Sequence, residues 1–516
     1  MTAASLTEEL RPTQSVGLLA VVTAAVLLLS TRYGIGVSHD STAYLGLRAH
    51  DVGHAPLYSW LMRLGAALPL DVTLIARLYH TALYAGTAVL SWRLLRAATG
   101  GSLPAWAGAL LIAFTGQALA VYSMALSEPT FVLLVVLAFA WLSSWVDTRA
   151  PRFFIGAAIA AALAMLARYP GVALVATGTL TVLVAGGGAL RPRATRALLF
   201  ATVGLAPALG WMAYVAWVSG TAGGRNAALT GTADAETFYD GVLEAARFLL
   251  PTEFPEGLRV AALAVALALL AAATIAFYRR RVSSAAPAPV PSSLARHPHR
   301  FLPLILLVFA ALYSAVIVLG VLVEPYLPIL DRYLYPAYVT LVLLGAVTAP
   351  ALARTAATRH TVAVAVALFV ALSVVRTAKV AGEGFEHGWG YASDRWRSSA
   401  AVAYVSALPS TAAVYSDDPN ALLFLTQRAV REVPHKIVRR LGAANAAFDH
   451  EVAAMREQLQ TTQGVVVIFD RERGVFDMPA LPDLSRAMPL REQARFADAT
   501  VYALAAPDEQ RVAGGY

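Results

Sequence analysis

Long apolar segments separated by short polar stretches dominate the first three quarters of the chain. About 20 apolar helical residues cross a bilayer core of about 30 Å, and eleven segments approach that length. They are predicted at about 14–32, 73–95, 104–122, 129–146, 153–168, 170–187, 197–218, 258–278, 301–323, 334–352 and 360–378. Only the turn Arg168-Tyr169-Pro170-Gly171 separates the fifth segment from the sixth. The pattern predicts an α-helical polytopic membrane protein with about 11 transmembrane helices.

Arginine positions predict how these segments are oriented. With the N-terminus in the cytoplasm, every short inner loop is basic, as the positive-inside rule requires. The inner arginines are Arg93, Arg96, Arg149, Arg152, Arg191, Arg193, Arg196, Arg279, Arg280, Arg281, Arg296, Arg300, Arg354 and Arg359. Acidic residues gather on the opposite side. If the fifth and sixth segments formed a single span, the arginines and the acidic residues would no longer sort to opposite sides of the membrane. We therefore expect an odd number of crossings and an extracytoplasmic C-terminus.

Residues 379–516 follow the last apolar segment and are numerous enough to form a domain of their own. Helix-like stretches alternate there with β-rich runs. The helix-like stretches lie at about 394–407, 419–427 and 444–460, and the β-rich runs lie at about 411–415, 464–469 and 500–505. We therefore predict a membrane part, 1–378, with long outer loops at 33–72 and 219–257, and a small extracytoplasmic α/β domain at 379–516.

Composition agrees with a membrane protein. Of 516 residues, 58% are hydrophobic and 14% are charged, against about 25% charged in ordinary soluble domains. Inner-loop arginines account for the net charge of +8 without a nucleic-acid partner. The chain has no cysteine, which excludes disulfides, thiolate metal sites and cysteine nucleophiles.

Glu8 and Glu9 precede the first apolar run, and no small-residue cleavage site follows it, so we expect a membrane span rather than a cleaved signal. A flexible inner linker is predicted at 282–300.

The first outer loop carries a candidate carboxylate, Asp40, beside Ser41 and Thr42. Downstream, apolar residues between Leu57 and Leu68 recur at helical spacing and include Trp60, which predicts a helix along the membrane surface. Asp40 would then lie just above the lipid. At this level it is equally consistent with a helix cap, since Asp, Ser and Thr are all capping residues.

Ionisable residues are nearly absent from the middle of the spans and gather at their outer ends. This placement indicates a site at the outer membrane face and argues against an ion-coupled transporter, which needs charges at mid-membrane depth. Glu128 opens the fourth span after Ser127, where it is also an ordinary helix start. Arg168 and Arg332 lie at span ends, where they are also suited to be snorkelling anchors.

Taken together, these motifs resemble the GT-C superfamily of polytopic glycosyltransferases, in particular the branch of the protein O-mannosyltransferases and the lipid A aminoarabinose transferase. The resemblance covers about 14–378 and departs from the mannosyltransferases at His39-Asp40-Ser41, where an Asp-Glu pair is usual. Segments 389–399 and 415–420 also look like the tail of bacterial members of the superfamily. The motifs that carry it are Asp40, His54-Ala55-Pro56-Leu57-Tyr58, Ser127-Glu128-Pro129, Arg168-Tyr169-Pro170-Gly171 and Arg332-Tyr333-Leu334-Tyr335-Pro336.

The resemblance implies transfer of a sugar from a polyprenyl-phosphate donor to an acceptor hydroxyl, with inversion at the anomeric carbon. Asp40 would be the general base, which contributes about 10²–10⁴ in rate. Arg168 and Arg332 would bind the donor phosphate, where planar guanidinium groups make paired hydrogen bonds. Tyr333 and His54 are further candidate donors of hydrogen bonds to that phosphate.

Other residues are candidates for the sugar, the acceptor or a metal ion. Glu128 would orient a sugar hydroxyl, the acceptor or, together with Asp40, a divalent cation such as Mg²⁺ or Mn²⁺. No strong metal motif is present in the sequence. The candidate sugar-binding or acceptor-binding residues are His39, Tyr58, Trp389 and Trp396. A solvated role for His39, and a role for the tryptophans in docking the outer domain, stay open.

We therefore expect an integral membrane glycosyltransferase in the plasma (inner) membrane of a bacterium or archaeon. Its partners would be the polyprenyl-phosphate sugar donor, membrane lipids and an acceptor that is a protein, a lipid or a polysaccharide. Two other classes stay open: a transporter or flippase of a lipid-linked saccharide, and a non-catalytic membrane scaffold. A transporter of this kind favours two-fold related halves, and the sequence shows no such repeat.

Overall fold

The computed structural model describes residues 12–48, 53–220, 233–283, 299–324, 327–353, 355–438, 443–470 and 481–505. Two segments of the chain fall largely or wholly outside these ranges. Most of the linker expected at 282–300 and the glycine-rich part of the second outer loop, 221–232, lie outside the described residues.

Helices make up the membrane part. In chain order they are α1 (Pro12–Ser30), α2 (His39–Tyr44), α3 (Leu57–Gly65), α4 (Val72–Thr99), α5 (Ser102–Ala113), α6 (Gly116–Tyr122), α7 (Glu128–Thr148), α8 (Pro151–Ala167), α9 (Val172–Ala185), α10 (Leu190–Ser219), α11 (Ala235–Ala246), α12 (Glu256–Ser283), α13 (Leu302–Val323), α14 (Asp331–Thr348) and α15 (Ala356–His387). A short 3₁₀ turn, Tyr169–Gly171, separates α8 from α9, and a second, Ala349–Ala351, follows α14.

Each of the eleven predicted segments falls on a helix, and the third is broken into α5 and α6, which meet at a bend of 57°. Six of the described helices are long and apolar enough to cross a membrane, or seven if the bent pair is one span. The stretches 16–30, 151–167 and 169–185 are shorter apolar helices. The chain is thus a multi-pass membrane protein, while the number of crossings stays a prediction.

Helix α7 lies at the centre of the helical bundle. It packs against α4, α8, α13 and α14. Of its most apolar 18 residues, 67% are buried inside the protein, whereas the corresponding share is 11% for α12 and for α15. A helix that is apolar all round and little buried by protein is suited to face lipid. The start of α7 is enclosed by protein, as the burial of Glu128 shows, and a polar site there is sheltered from lipid.

Residues 394–504 contain a small α/β unit. Its five-stranded sheet has the order β2-β1-β5-β7-β6, with β1 parallel to β2 and β5, and β7 antiparallel to β5 and β6. Strands β3 and β4 form a separate antiparallel pair. The strands are β1 (Val414–Ser416), β2 (Val430–Glu432), β3 (Ile437–Val438), β4 (Ala443–Ala444), β5 (Val465–Phe469), β6 (Leu490–Arg495) and β7 (Ala499–Leu504), and the helices are α16 (Asp394–Arg397), α17 (Ala400–Ala407), α18 (Pro419–Thr426), α19 (Phe448–Thr462) and α20 (Leu481–Ala487).

The predicted helices and strands of the tail are present, and the small α/β fold is confirmed. The three predicted β-rich runs are β1, β5 and β7, whereas β2 and β6 were not predicted. Helix α15 continues to His387, beyond the predicted domain boundary at 378. The boundary itself stays a prediction.

Backbone contacts join the first outer loop to both parts of the molecule. The amide of Gly36 donates to the carbonyl of Ser123 at 2.7 Å, and the amide of Tyr391 donates to the carbonyl of Val37 at 2.8 Å. A Cβ at Gly36 would lie 2.6 Å from Cβ of Trp389 and 3.0 Å from the carbonyl oxygen of Ser123, so glycine permits this close approach. The chain is thereby held on both sides immediately before α2.

Candidate active site

Asp40 lies in the first turn of α2, but it does not cap that helix. The N-cap is Ser38, whose side chain accepts from the amide of Ser41. The carboxylate of Asp40 instead pairs with Arg332, whose Nη1 lies 2.8 Å from Asp40 Oδ2. The capping alternative is therefore wrong for Asp40, and its carboxylate faces a cation from a distant part of the chain.

Glu128 begins α7 and is the most deeply buried member of the cluster, with 1% of its side chain exposed. It forms an ion pair with Nη1 of Arg168, and its Oε1 lies 3.7 Å from Nε of Arg332. Buried charges are tolerated when they are paired. Glu128 thus brings the two arginines together, and one of them, Arg332, also pairs with Asp40.

The turn between α8 and α9 positions Arg168. Arg168 is the C-cap of α8 in an extended conformation, and Tyr169–Gly171 forms the 3₁₀ turn that follows. A Cβ at Gly171 would lie 2.6 Å from the backbone nitrogen and Cα of Met165, so the turn packs directly on α8. This close turn ends α8 at Arg168 and directs its side chain toward the start of α7.

Tyr333 lies beside both arginines. The guanidinium carbons of Arg168 and Arg332 are 5.3 and 4.9 Å from its ring centroid, within the range of cation–π attraction. The hydroxyl of Tyr333 accepts from Arg332 Nη2 at 2.9 Å, and its carbonyl accepts from the hydroxyl of Tyr313 at 2.9 Å. Tyr333 therefore orients both guanidinium planes.

Exposure and charge distinguish the two carboxylates. Asp40 and Arg332 keep 28% and 21% of their side chains exposed, so a ligand can reach them, whereas Glu128 is enclosed. Burial raises the pKa of Asp40, but the charge and hydrogen bond of Arg332, with smaller contributions from His54 and His39, together hold that pKa below its ordinary value. The carboxylate is therefore ionised at neutral pH.

A cavity of about 240 Å³ opens next to α2. His54 lines it, and its ring lies 5.1 Å from that of Tyr44, while its carbonyl accepts from Trp211 Nε1 at 3.1 Å. The lining residues are Ala43, His54, Pro56, Ser59, Trp60, Arg63, Trp211 and Tyr214. Sequence reasoning did not select Arg63, Trp211 or Tyr214, although the aromatic spacing on α10 was a usable signal.

Tyr58 is fully buried and faces away from solvent. Its hydroxyl donates to His80 Nε2 at 2.9 Å, and His80 Nδ1 donates to the carbonyl of Tyr122 at 2.9 Å. The Tyr58 ring packs 5.6 Å from that of Tyr44. Tyr58 thus anchors α3 to α4, and sequence reasoning did not identify its partner His80.

His39, Trp389 and Trp396 contact protein. The ring nitrogen Nδ1 of His39 lies 2.6 Å from Asn420 Nδ2. Trp389 Nε1 donates to the carbonyl and hydroxyl of Ser30, both at 3.0 Å. Trp396 is 8% exposed and packs between aromatic residues of the C-terminal unit. The contact with Ser30 of α1 favours the docking alternative for Trp389, whereas Trp396 packs inside the C-terminal unit and is not available to stack on a sugar.

The cluster does not favour a divalent cation. Asp40 and Glu128 share the guanidinium of Arg332, which lies against both carboxylates. Among the described residues, no group of three or more His, Asp and Glu side chains is arranged to hold a metal ion. Both carboxylates are thus paired with arginine in this structure.

Comparison with known proteins supports the GT-C resemblance. Residues 53–214 match the family model of the dolichyl-phosphate-mannose-protein mannosyltransferases. The fold is similar to that of ArnT from Cupriavidus metallidurans bound to undecaprenyl phosphate, with a TM-score of 0.59 and 15% identity over 96% of this chain and 99% of that one. The apo state of ArnT matches with a TM-score of 0.58 and 14% identity over 95% and 98%.

No curated protein sequence matches the chain. The matched family region contains His54, Glu128 and Arg168, and the ArnT fold extends over nearly the whole chain. The chain therefore resembles the GT-C glycosyltransferases in sequence and has their fold, as its motifs predicted.

Proposed function

We propose that this protein is a membrane glycosyltransferase of the GT-C type that uses a polyprenyl-phosphate sugar as its donor. The observation that carries the proposal is the partly exposed ion pair of Asp40 and Arg332, whose arginine also lies 3.7 Å from the buried Glu128, the partner of Arg168. The cavity next to α2 is lined by Ala43 of the same short helix. A base and a phosphate-binding cation next to each other are what a transfer from a phosphate leaving group needs.

In the proposed reaction the acceptor hydroxyl attacks the anomeric carbon of the donor. Asp40 takes the hydroxyl proton as the new C–O bond forms, and the bond between the anomeric carbon and the phosphate oxygen breaks with its electron pair on the phosphate. Attack and departure occur on opposite faces, so the configuration inverts. The carboxylate of Asp40 is ionised because of Arg332, and it begins the reaction able to accept a proton.

Arg332 and Arg168 are proposed to stabilise the charge that develops on the phosphate. The two cations and two carboxylates of the cluster balance each other, so a bound phosphate competes with Asp40 for Arg332. Glu128 is too enclosed to reach a substrate, and we propose that it positions the two guanidinium groups instead. His54, which lines the cavity next to α2, is proposed as a further phosphate contact.

The identity of the donor carrier draws on a related fold. ArnT has been solved with undecaprenyl phosphate bound, and a polyprenyl phosphate places its charge at the membrane surface and its tail among the spans. We propose the same class of carrier here, on the extracytoplasmic face, with the N-terminus in the cytoplasm. The proposal leaves the sugar and the acceptor class open.

Transfer of labelled sugar tests this function. Protein in lipid nanodiscs would be incubated with radiolabelled sugars on polyprenyl phosphate and with cell-envelope fractions as acceptor. We expect covalent transfer by the wild type, loss of transfer in Asp40→Asn and normal transfer in the control Asp240→Asn, an exposed outer residue. Normal transfer by Asp40→Asn would overturn the role of Asp40. Movement of donor across a bilayer without covalent transfer would favour a flippase.

A further inference from the structure

Helix α2 depends on contacts outside itself. It has six residues, and an isolated helix shorter than about 12 residues is marginal in water. Its contacts run to the membrane part through Asp40 and the ring of Tyr44, and to the C-terminal unit through His39 and Thr42. The orientation of Asp40 therefore depends on what holds the opposite side of the helix.

One side chain, Asn420, contacts α2 at two points. Its Oδ1 lies 2.9 Å from the hydroxyl of Thr42, and its Nδ2 lies 2.6 Å from His39 Nδ1. The Thr42 hydroxyl is also 2.8 Å from the carbonyl of His39, which closes the network. Thr42 is fully buried and Asn420 is 5% exposed, so water does not replace these contacts readily.

His39 and Thr42, the two residues of α2 that contact Asn420, are three positions apart in the helix. Residues i and i+3 of a helix are neighbours on one face, so His39 and Thr42 point together toward Asn420. Asp40 follows His39 by one residue, about 100° further round the helix, and reaches Arg332. Asn420 and Arg332 thus hold α2 from two different sides.

Asn420 is itself rigidly placed. It is the second residue of α18, which is capped by Asp418: Asp418 Oδ1 accepts from the amide of Ala421 at 3.2 Å and from the hydroxyl of Tyr391 at 2.8 Å. The amide of Asp418 in turn donates to the hydroxyl of Ser416, at the end of β1, at 3.0 Å. The position of Asn420 is therefore set by the sheet of the C-terminal unit.

We propose that Asn420 is a positioning residue for the transfer reaction, through which the C-terminal α/β unit fixes α2 and thereby aims Asp40. This inference rests on the proposed function, because it assigns Asp40 a chemical role. Misplacement of a reacting group by about 1 Å can cost on the order of 10²-fold in rate. On this proposal the C-terminal unit contributes to the geometry of the active site.

Steady-state kinetics of Asn420→Ala test the proposal. We expect kcat to fall about tenfold or more while KM for the donor stays within about twofold, because the phosphate contacts are intact. Asn420→Asp should recover most of kcat, since one oxygen still accepts from the Thr42 hydroxyl and the other accepts from His39 Nδ1 once the ring proton moves to that nitrogen. The control Thr426→Ala, at the far end of α18, should behave like the wild type. Equal losses in Asn420→Ala and Asn420→Asp, or a normal kcat in Asn420→Ala, would overturn it.

A second measurement separates this inference from the proposed function. Hydrogen exchange of residues 38–46 reports the order of α2 without any transfer assay, and it should quicken in Asn420→Ala but not in Thr426→Ala. Unchanged exchange would overturn the positioning role while leaving glycosyl transfer intact. In the Asp40→Asn background, Asn420→Ala should cause no further loss of residual transfer; an additional loss would show that Asn420 acts independently of Asp40.

Discussion

Arg332 Nη1 lies 2.8 Å from Asp40 Oδ2, so the proposed base and a proposed phosphate ligand are bound to each other. Arg332 also lies against Glu128 and Tyr333. A donor phosphate that draws hydrogen bonds from Arg332 weakens its hold on Asp40. In the proposed reaction the carboxylate would then become a stronger base when the donor is present, and donor binding would be coupled to proton transfer.

The first prediction concerns the pH dependence of Arg332→Gln. Arg332 lowers the pKa of Asp40 against the opposing effect of burial, so its replacement raises that pKa. Asp40 is then protonated at a higher pH, and the acid limb of kcat/KM moves upward in pH. Arg395→Gln, an exposed arginine of α16, is the control and should leave the limb in place. If the acid limb does not move in Arg332→Gln, protonation of Asp40 does not determine the pH dependence of kcat/KM.

The second prediction compares two glutamates. Glu128→Gln leaves Arg168 with its charge largely buried and unpaired, which costs about 3–5 kcal/mol of unfolding free energy. Glu244→Gln breaks a more exposed pair with Arg247 and should cost about 0.5 kcal/mol or less. Denaturant unfolding in detergent micelles measures both. Equal stability of the two variants would contradict the assignment of Glu128 as the buried partner of the arginines.

The third prediction concerns the donor phosphate. Arg168→Lys keeps a positive charge but replaces a planar, forked donor by a single ammonium group. We expect KM for the polyprenyl-phosphate donor to rise about tenfold, which is about 1.4 kcal/mol of binding, while KM for the acceptor stays near its wild-type value. Donor titration at saturating acceptor measures this. A rise confined to acceptor KM would place Arg168 on the acceptor instead.

The sequence was informative where burial in lipid restricts residue choice. Charges are costly within spans, so Asp40, Glu128, Arg168 and Arg332 stood out at the outer ends, and the structure brings all four together. Apolar length likewise located the helices. Their chemical roles remain predictions.

Tertiary partners were beyond local sequence. Nothing near Asn420 indicates that it contacts His39 and Thr42, because such pairing depends on how distant elements pack. His80 was missed because a neutral, hydrogen-bonded histidine inside a span leaves little trace in hydropathy. Strand β6 was missed because it is a polar edge strand without alternating apolar residues.

The last prediction uses two glycines to test the turn that places Arg168. In Gly171→Ala the new Cβ meets backbone atoms of Met165 at 2.6 Å, so the turn must shift and Arg168 moves with it. We expect a loss of about 1–3 kcal/mol in unfolding free energy and a lower rate of transfer. Gly210→Ala lies within α10 with nothing within 4 Å of the new Cβ. It should instead stabilise the helix by about 0.5–1 kcal/mol and leave transfer unchanged. Denaturant unfolding and the transfer assay together check the pair, and a Gly171→Ala variant as stable and active as Gly210→Ala would refute the packing of this turn.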